Sequence, residues 1–198
     1  MGAFEFFGLD PKVPTIMVIG GSQGAQKINE VIINALPKLL NKYQIIHQTG
    51  KNNIMAMKEV ANAVLMNHSH PERYKPFDYL NLLALRMSAG ASKLVISRAG
   101  STIFEIASWN LPSIIIPIPE VTSHDQTKNA FSYARGGACV VIEEKNLTAN
   151  ILTAEIDRIL EKEGEAEKMI NATRTFTHPD AAHKIAIEIL NIALTHEV

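Results

Sequence analysis

Between Thr15 and Ile142 the chain alternates short, nearly unbroken apolar runs with longer stretches whose apolar residues recur at helical spacing. The runs are Thr15 to Ile19, Tyr43 to His47, Leu94-Val95-Ile96, Ser113-Ile114-Ile115-Ile116 and Ala138 to Ile142, and Tyr74 to Phe77 is a short strand candidate between the second and third of them. Runs of this length without polar alternation suit strands covered on both faces. Between them, Ile28, Val31, Ile32, Ala35, Leu36 and Leu39 predict a helix over 25–40. Further helices are expected over 53–66, over 80–88, from Ser101-Thr102 onward, and over 126–135 with Gly136-Gly137 as its stop. Beyond Ile142 the pattern is helical only: Leu147 to Lys162 with Thr148 as cap, Glu165 to Arg174, and Asp180 to Leu194 behind Pro179. Strand and helix in strict alternation predict an α/β fold, a parallel sheet with helices on both faces. In such sheets ligands bind where strand ends meet helix N-termini. The segment Lys93 to Gln126 is one strand–helix–strand unit with its polar residues at that edge.

Composition narrows the classes. A chain of 198 residues can bury a core without staples, and a net charge of -1 gives no overall field for nucleic acid. The single cysteine, Cys139, lies in an apolar run and reads as a buried, inert thiol; no disulfide within the chain is possible. No run approaches the ~18 apolar residues of a spanning helix. The start lacks the basic flank of a signal peptide, and Phe6 stands where myristoylation needs Ser or Thr. The chain therefore reads as soluble. Residues 1–14 form a lead-in closed by Asp10-Pro11 and Pro14, and 15–198 the main domain. Phe4, Phe6 and Phe7 pack either on this domain or on something outside it. Met55, Met57 and Met66 read as packing, and residues 161–168 as a solvated charged connection. His68-Ser69-His70 resembles a metal pair, but no carboxylate or cysteine nearby completes it, so a polar loop is expected and no metal site.

Three loops carry candidate chemistry. In Gly20-Gly21-Ser22-Gln23-Gly24-Ala25 the glycines let backbone approach a ligand at a helix N-terminus, which suits a phosphate. The alternative is a tight turn with Ser22 as a cap. It matches neither the P-loop nor the dinucleotide fingerprint. After the third run, Gly100 permits a tight turn into Ser101-Thr102-Ile103-Phe104-Glu105. Thr-x-x-Glu there is either a capping box or a site in which Glu105 holds a sugar diol and the Ser101 and Thr102 amides face phosphate. After the fourth run, His124, Asp125, Gln126 and Asn129 either hydrogen-bond sugar hydroxyls or supply a cap through Asp125 or Ser123. His124 has no acid–base partner at a telling spacing. Three such loops at successive strand ends point to a nucleotide or nucleotide-sugar site.

A resemblance sharpens this reading. Gly20 to Ala25, then His47-Gln48-Thr49-Gly50-Lys51, Ser97-Arg98-Ala99-Gly100 with Glu105-Ile106-Ala107, Leu111-Pro112, Gln126-x-x-Asn129-Ala130 and Pro179-Asp180-Ala181-Ala182 together resemble the MurG family. That family transfers N-acetylglucosamine from UDP-GlcNAc to the undecaprenyl-linked muramyl-pentapeptide precursor of peptidoglycan. The resemblance covers nearly the whole chain but only the family's C-terminal half. It implies a Rossmann-like, UDP-sugar-binding domain of a GT-B glycosyltransferase, without cofactor or metal. Ser22, flanked by Gly21 and Gln23, would contact the diphosphate, and the backbone at Phe77-Asp78 the uracil. Ser101 and Thr102 beside Gly100 would support phosphate and ribose, Glu105 the ribose hydroxyls, and Asp125 with Gln126 the sugar. The loop from Gly100 to Glu105 is a residue shorter than the family pattern, and His124-Asp125 replaces a commoner Asp-His or glutamine. No catalytic residue is assigned here, because the resemblance places that residue and the lipid-acceptor site in the N-terminal half. The implied partners are UDP-GlcNAc, that half or a partner subunit, and through it the lipid-linked acceptor. The implied location is cytoplasmic, peripheral at the inner face of the cell membrane. Two alternatives stand: a stand-alone donor-binding subunit of a split glycosyltransferase, docking through Phe4, Phe6 and Phe7 or the last helix, and a non-catalytic nucleotide-sugar-binding domain.

Overall fold

The computed structural model describes residues 2–21, 24–119, 124–177 and 180–195. The elements run α1 (Ala3–Phe7), β1 (Thr15–Ile19), α2 (Gln26–Leu39), β2 (Gln44–Gln48), α3 (Ile54–Val64), β3 (Tyr74–Phe77), α4 (Leu82–Ala91) and β4 (Ser92–Ser97). They continue α5 (Thr102–Trp109), β5 (Ser113–Ile115), α6 (His124–Arg135), β6 (Cys139–Val141), α7 (Ala149–Glu161), α8 (Glu165–Phe176) and α9 (Ala181–Thr195). All six strands pair in parallel in the order β3-β2-β1-β4-β5-β6. The order reverses between β1 and β4, so the loops leaving these two strands diverge to opposite faces and leave a crevice at the C-terminal edge.

Alternating residues of the central strands face opposite layers, as the two-residue period of a strand requires. Ile16 and Val18 of β1, with Leu94, Ile96 and Ile114, join the apolar stripes of α2 and α7. Met17 and Ile19, with Val95 and Ile115, pack instead with Ile103, Ile106 and Tyr133 of α5 and α6. Both faces are covered, which is why the runs carry no polar alternation. Every residue of the predicted stripe Ile28–Leu39 is buried.

Several expectations change. The second strand begins and ends one residue later than the apolar run, because Gln48 is in register with Ile19 and Phe77. Tyr43 instead ends the preceding turn, and its hydroxyl donates to Asp157 at 2.8 Å. Met57 is buried, but Met55 and Met66 are exposed, so the packing expectation holds for one methionine of three. The fifth helix starts at Thr102 and the sixth already at His124. Thr148 caps α7 as expected, accepting from the Ile151 amide at 3.3 Å. The charged connection is not simply solvated: Arg158, Lys162 and Lys168 converge on the Glu165 carboxylate.

The lead-in packs on the sheet. Phe7 and Leu9 are buried with Ile46, Leu80 and Ala84, and the Phe7 ring meets Phe77 edge-on at 5.4 Å. Phe7 is therefore unavailable as a docking surface, and Phe4 and Phe6 are half-buried against the same cluster. Helix α9 is the reverse: Ile185, Ile187, Ile189, Leu190, Ile192 and Leu194 are all exposed, between 44% and 64%. No helix among the described residues is long and apolar enough to cross a membrane.

Candidate functional site

The β1–α2 turn is built for close backbone approach. A Cβ on Gly20 would lie 2.7 Å from the Ala25 nitrogen, and one on Gly24 only 2.1 Å from the Thr49 carbonyl oxygen. Gly24 also holds φ at +76°, a region that side chains disfavour. Gly21 shares the left-handed conformation at +85° but faces open space. Ser22 and Gln23 lie outside the described residues. The N-cap position of α2 is Ala25, which has no side-chain oxygen to offer. The first amides of this fourteen-residue helix thus face the crevice without a side-chain cap among the described residues, and the helix dipole adds positive potential there.

Behind this turn lies a buried polar network centred on the end of β2. Asn29 donates its amide to the Thr49 carbonyl at 2.9 Å, so its Oδ1 faces His47 Nε2 at 3.0 Å and accepts that proton. The other ring nitrogen, Nδ1, then accepts from the Tyr74 hydroxyl at 2.9 Å. Burial pushes the His47 imidazole down to about 3, so the ring is neutral. The Gln48 Nε2 donates to the Gly21 carbonyl and its Oε1 accepts from the Leu80 amide, both at 2.9 Å. Thr49 donates through backbone and hydroxyl to the Phe77 carbonyl, at 2.9 and 3.1 Å. That carbonyl therefore already takes two hydrogen bonds. Asp78, exposed, turns its carboxylate onto the Tyr79 amide at 2.7 Å.

Across the crevice, the capping-box reading of Thr102 and Glu105 fails. The cap position is Ser101, whose φ of -56° and ψ of -24° are already helical and whose side chain makes no cap bond. Thr102 is therefore the first helical residue, one place too far along to cap. Glu105 is exposed and has no side-chain hydrogen bond or ion pair among the described residues. Gly100 does not use the left-handed conformation, so the turn does not need its freedom; a Cβ there would simply meet open space. The Arg98 guanidinium donates to the carbonyls of Ile116 and Pro117, each at 3.2 Å, and pairs with Glu144, tying the end of β4 to the end of β5. On α6, Asn129 donates to the Ala99 carbonyl at 3.3 Å. Gln126 Oε1 accepts from the Ile118 amide at 3.2 Å, its NH2 group has no partner among the described residues, and Asp125 is exposed. Residues 120–123, including Ser123, lie outside the described ones. A cavity of about 220 Å³ opens beside this loop, lined by Pro117, Ile118, Pro119, Thr127, Glu143, Glu144 and Lys145.

The described candidates Gly21, Phe77, Asp78, Gly100, Ser101, Thr102, Glu105, Asp125 and Gln126 all lie at the C-terminal edge of the sheet. His68 is apart from them: Nε2 lies 3.1 Å from the Pro37 carbonyl and Nδ1 accepts from the His70 amide, while His70 Nδ1 lies 3.4 Å from the Glu72 carboxylate, so a carboxylate does stand beside the histidine pair, contrary to expectation. No group of three metal-binding side chains occurs among the described residues. Cys139 is buried beside the Ala130 carbonyl, and burial pushes its thiol up to about 12, as an inert thiol requires. Arg98, Asn29 and Gln48 carry much of the site's architecture without having been singled out for it; their polar character inside apolar stretches was the available signal.

Residues 15–185 match the model for the glycosyltransferase family 28 C-terminal domain. The chain belongs to that family. Among its relatives is the UDP-N-acetylglucosamine–N-acetylmuramyl-(pentapeptide) pyrophosphoryl-undecaprenol N-acetylglucosamine transferase of Limosilactobacillus reuteri, 35% identical over 95% of this chain and 50% of that one. The Exiguobacterium protein of the same name is 38% identical over 92% of this chain and 48% of its own length. The family 28 chain thus spans about half the length of the curated relatives it matches. Its fold superposes on MurG from Acinetobacter baumannii with a TM-score of 0.77, at 23% identity over 96% of this chain and 53% of that one. The S. aureus MnaA–UDP complex gives 0.72, at 17% identity over 96% and 48%.

Proposed function

We propose that this chain is the UDP-GlcNAc-binding half of a MurG-like N-acetylglucosaminyltransferase acting on a lipid-linked peptidoglycan precursor. The observation that carries the reading is the pairing of two groups across the β1/β4 crevice. On one side is a helix N-terminus with no side-chain cap among the described residues, beneath glycine backbone. On the other is Glu105, freed from any capping role. The first suits a diphosphate, since helix amides and dipole stabilise negative charge that grows as the sugar bond breaks. The second suits a ribose diol, which needs an acceptor for two hydroxyls. Ser22 and Gln23 would add donors at the diphosphate, and Ser101 and Thr102 would support it from the facing helix. With the Phe77 carbonyl already taken by Thr49, the uracil edge falls chiefly to the backbone of Asp78. Asp125 and the NH2 group of Gln126 would hold the sugar hydroxyls.

The relatives named for the complete transfer reaction are about twice as long as this chain. The catalytic base and the acceptor site are accordingly assigned to a second half, with the membrane location following the lipid-linked acceptor. The exposed apolar residues of α9 favour a covering partner, either that half or, in a split enzyme, a separate subunit. Alone, the chain binds donor and transfers little.

Calorimetric titration with UDP, UDP-GlcNAc and UDP-GalNAc tests the reading. UDP is expected to bind, and Glu105→Ala to weaken it by about tenfold, the size of a charged hydrogen bond. A preference for UDP-GlcNAc over UDP-GalNAc would tie sugar choice to Asp125 and Gln126. A folded chain that binds no UDP, or binds it equally well without the Glu105 carboxylate, overturns the assignment.

A further inference from the structure

We propose that Gln48 is a positioning residue that locks the diphosphate loop to the base loop, so that both sides of the nucleotide site move as one body. The inference rests on the donor-binding reading above and names a residue for which no ligand contact is needed.

The geometry follows from the sheet. Gln48 is the last residue of β2, in register with Ile19 of β1 on one side and Phe77 of β3 on the other. The strand that lies between two loop-bearing neighbours can reach both. Its amide does so with opposite ends: Nε2 donates to the Gly21 carbonyl, and Oε1 accepts from the Leu80 amide. Gly21 stands two residues past β1 and Leu80 three past β3, so each partner lies inside the loop that the site reading uses. Gln48 is only 4% exposed, and Leu80 2%. A buried side chain that satisfies one acceptor and one donor at once fixes both loops, because slipping either would strand a polar group. An isosteric residue must both donate and accept; a carboxylate only accepts, and a thioether does neither usefully. The Gly21 carbonyl also accepts from the Gly24 amide at 3.1 Å within its own turn, so the Gln48 amide is the bond that ties this turn to the end of β2.

The experiment compares UDP affinity of the full chain with Gln48→Met and Gln48→Glu, each shown to be folded by circular dichroism. Gln48→Met is expected to weaken UDP by about tenfold, the cost of two lost restraints on pre-organised loops. Gln48→Glu adds a signature that loss of packing cannot produce. At about pH 8 its carboxylate faces the Gly21 carbonyl without a proton, and binding is about tenfold below wild type. At about pH 5.5 the buried carboxyl is protonated, its hydroxyl donates to Gly21, and the affinity recovers to within about threefold of wild type. Ratios to wild type at each pH cancel the titration of UDP itself. Affinity of Gln48→Met within twofold of wild type, or a Gln48→Glu ratio that does not change with pH, overturns the proposal. Should Gln48→Met fail to fold, the Gln48→Glu ratio decides. Should the wild-type chain bind no UDP, the donor-site reading fails, and hydrogen exchange at the Leu80 amide judges the lock separately. Slow exchange that becomes fast in Gln48→Met supports it, and equal exchange overturns it.

Discussion

The neutral, fully buried His47 makes one residue answerable for an acid sensitivity of the fold. In the unfolded chain its imidazole takes up a proton near pH 6.5, whereas in the folded chain it stays neutral down to about 3. Unfolding therefore gains a proton throughout that window. Stability is expected to fall as pH drops from about 6.5, by up to ~1.4 kcal/mol per pH unit. In His47→Gln this part of the slope disappears, so melting temperatures of the two proteins converge on acidification; parallel curves would exclude His47 as its source. The same position shows where residue-level reading stops. His47, Gln48 and Asn29 are visible in the sequence only as polar residues within apolar surroundings. Their partners stand 18 to 32 residues away, brought close by strand register alone. Local spacing misled at Glu105 for a related reason: a Thr-x-x-Glu pattern caps only if Thr102 keeps a non-helical backbone, and the chain enters the helix one residue sooner.

Elements were far easier to read than the contacts between them. Five largely apolar runs and the short candidate Tyr74–Phe77 became six strands, because central strands covered on both faces favour apolar residues, and the stripes of α2 and α7 followed from helical period. Ends shifted by a residue or two where hydrogen-bond register, invisible to hydropathy, sets the boundary. The β1–α2 turn offers a direct test of what its glycines do. Gly21→Ala meets no atom and should cost about 1 kcal/mol, the penalty of a left-handed alanine. Gly24→Ala carries the same penalty and also drives its methyl onto the Thr49 carbonyl, so a loss of more than ~2 kcal/mol is expected in urea unfolding. Equal losses at the two positions would show that conformation alone, and not the approach to β2, requires glycine there.

At the scale of the molecule, the most conspicuous feature is α9, whose apolar side chains are exposed among the described residues. Replacing Ile185 and Ile189, both 60% exposed, by glutamate changes surface positions, so the isolated chain should keep its stability within ~0.5 kcal/mol. The same change should abolish co-purification with a supplied second half from a relative. Retained pairing would move the contact elsewhere. The strand order has a different consequence, in time rather than space. The two central strands of the sheet are β1 and β4, and β4 pairs with the side of β1 that β2 leaves open, so that Thr15 waits for Ser92. While the chain is being made, β1, β2 and β3 can associate first, leaving the edge of β1 at Ile16, Met17 and Val18 bare until much later residues emerge. An uncovered apolar edge is a template for the same edge of another nascent copy. The strand that organises the finished protein is thus the one most exposed to misassembly on the way to it, and the interval between synthesis of Ile19 and Ser97 is the period in which a chaperone has most to protect.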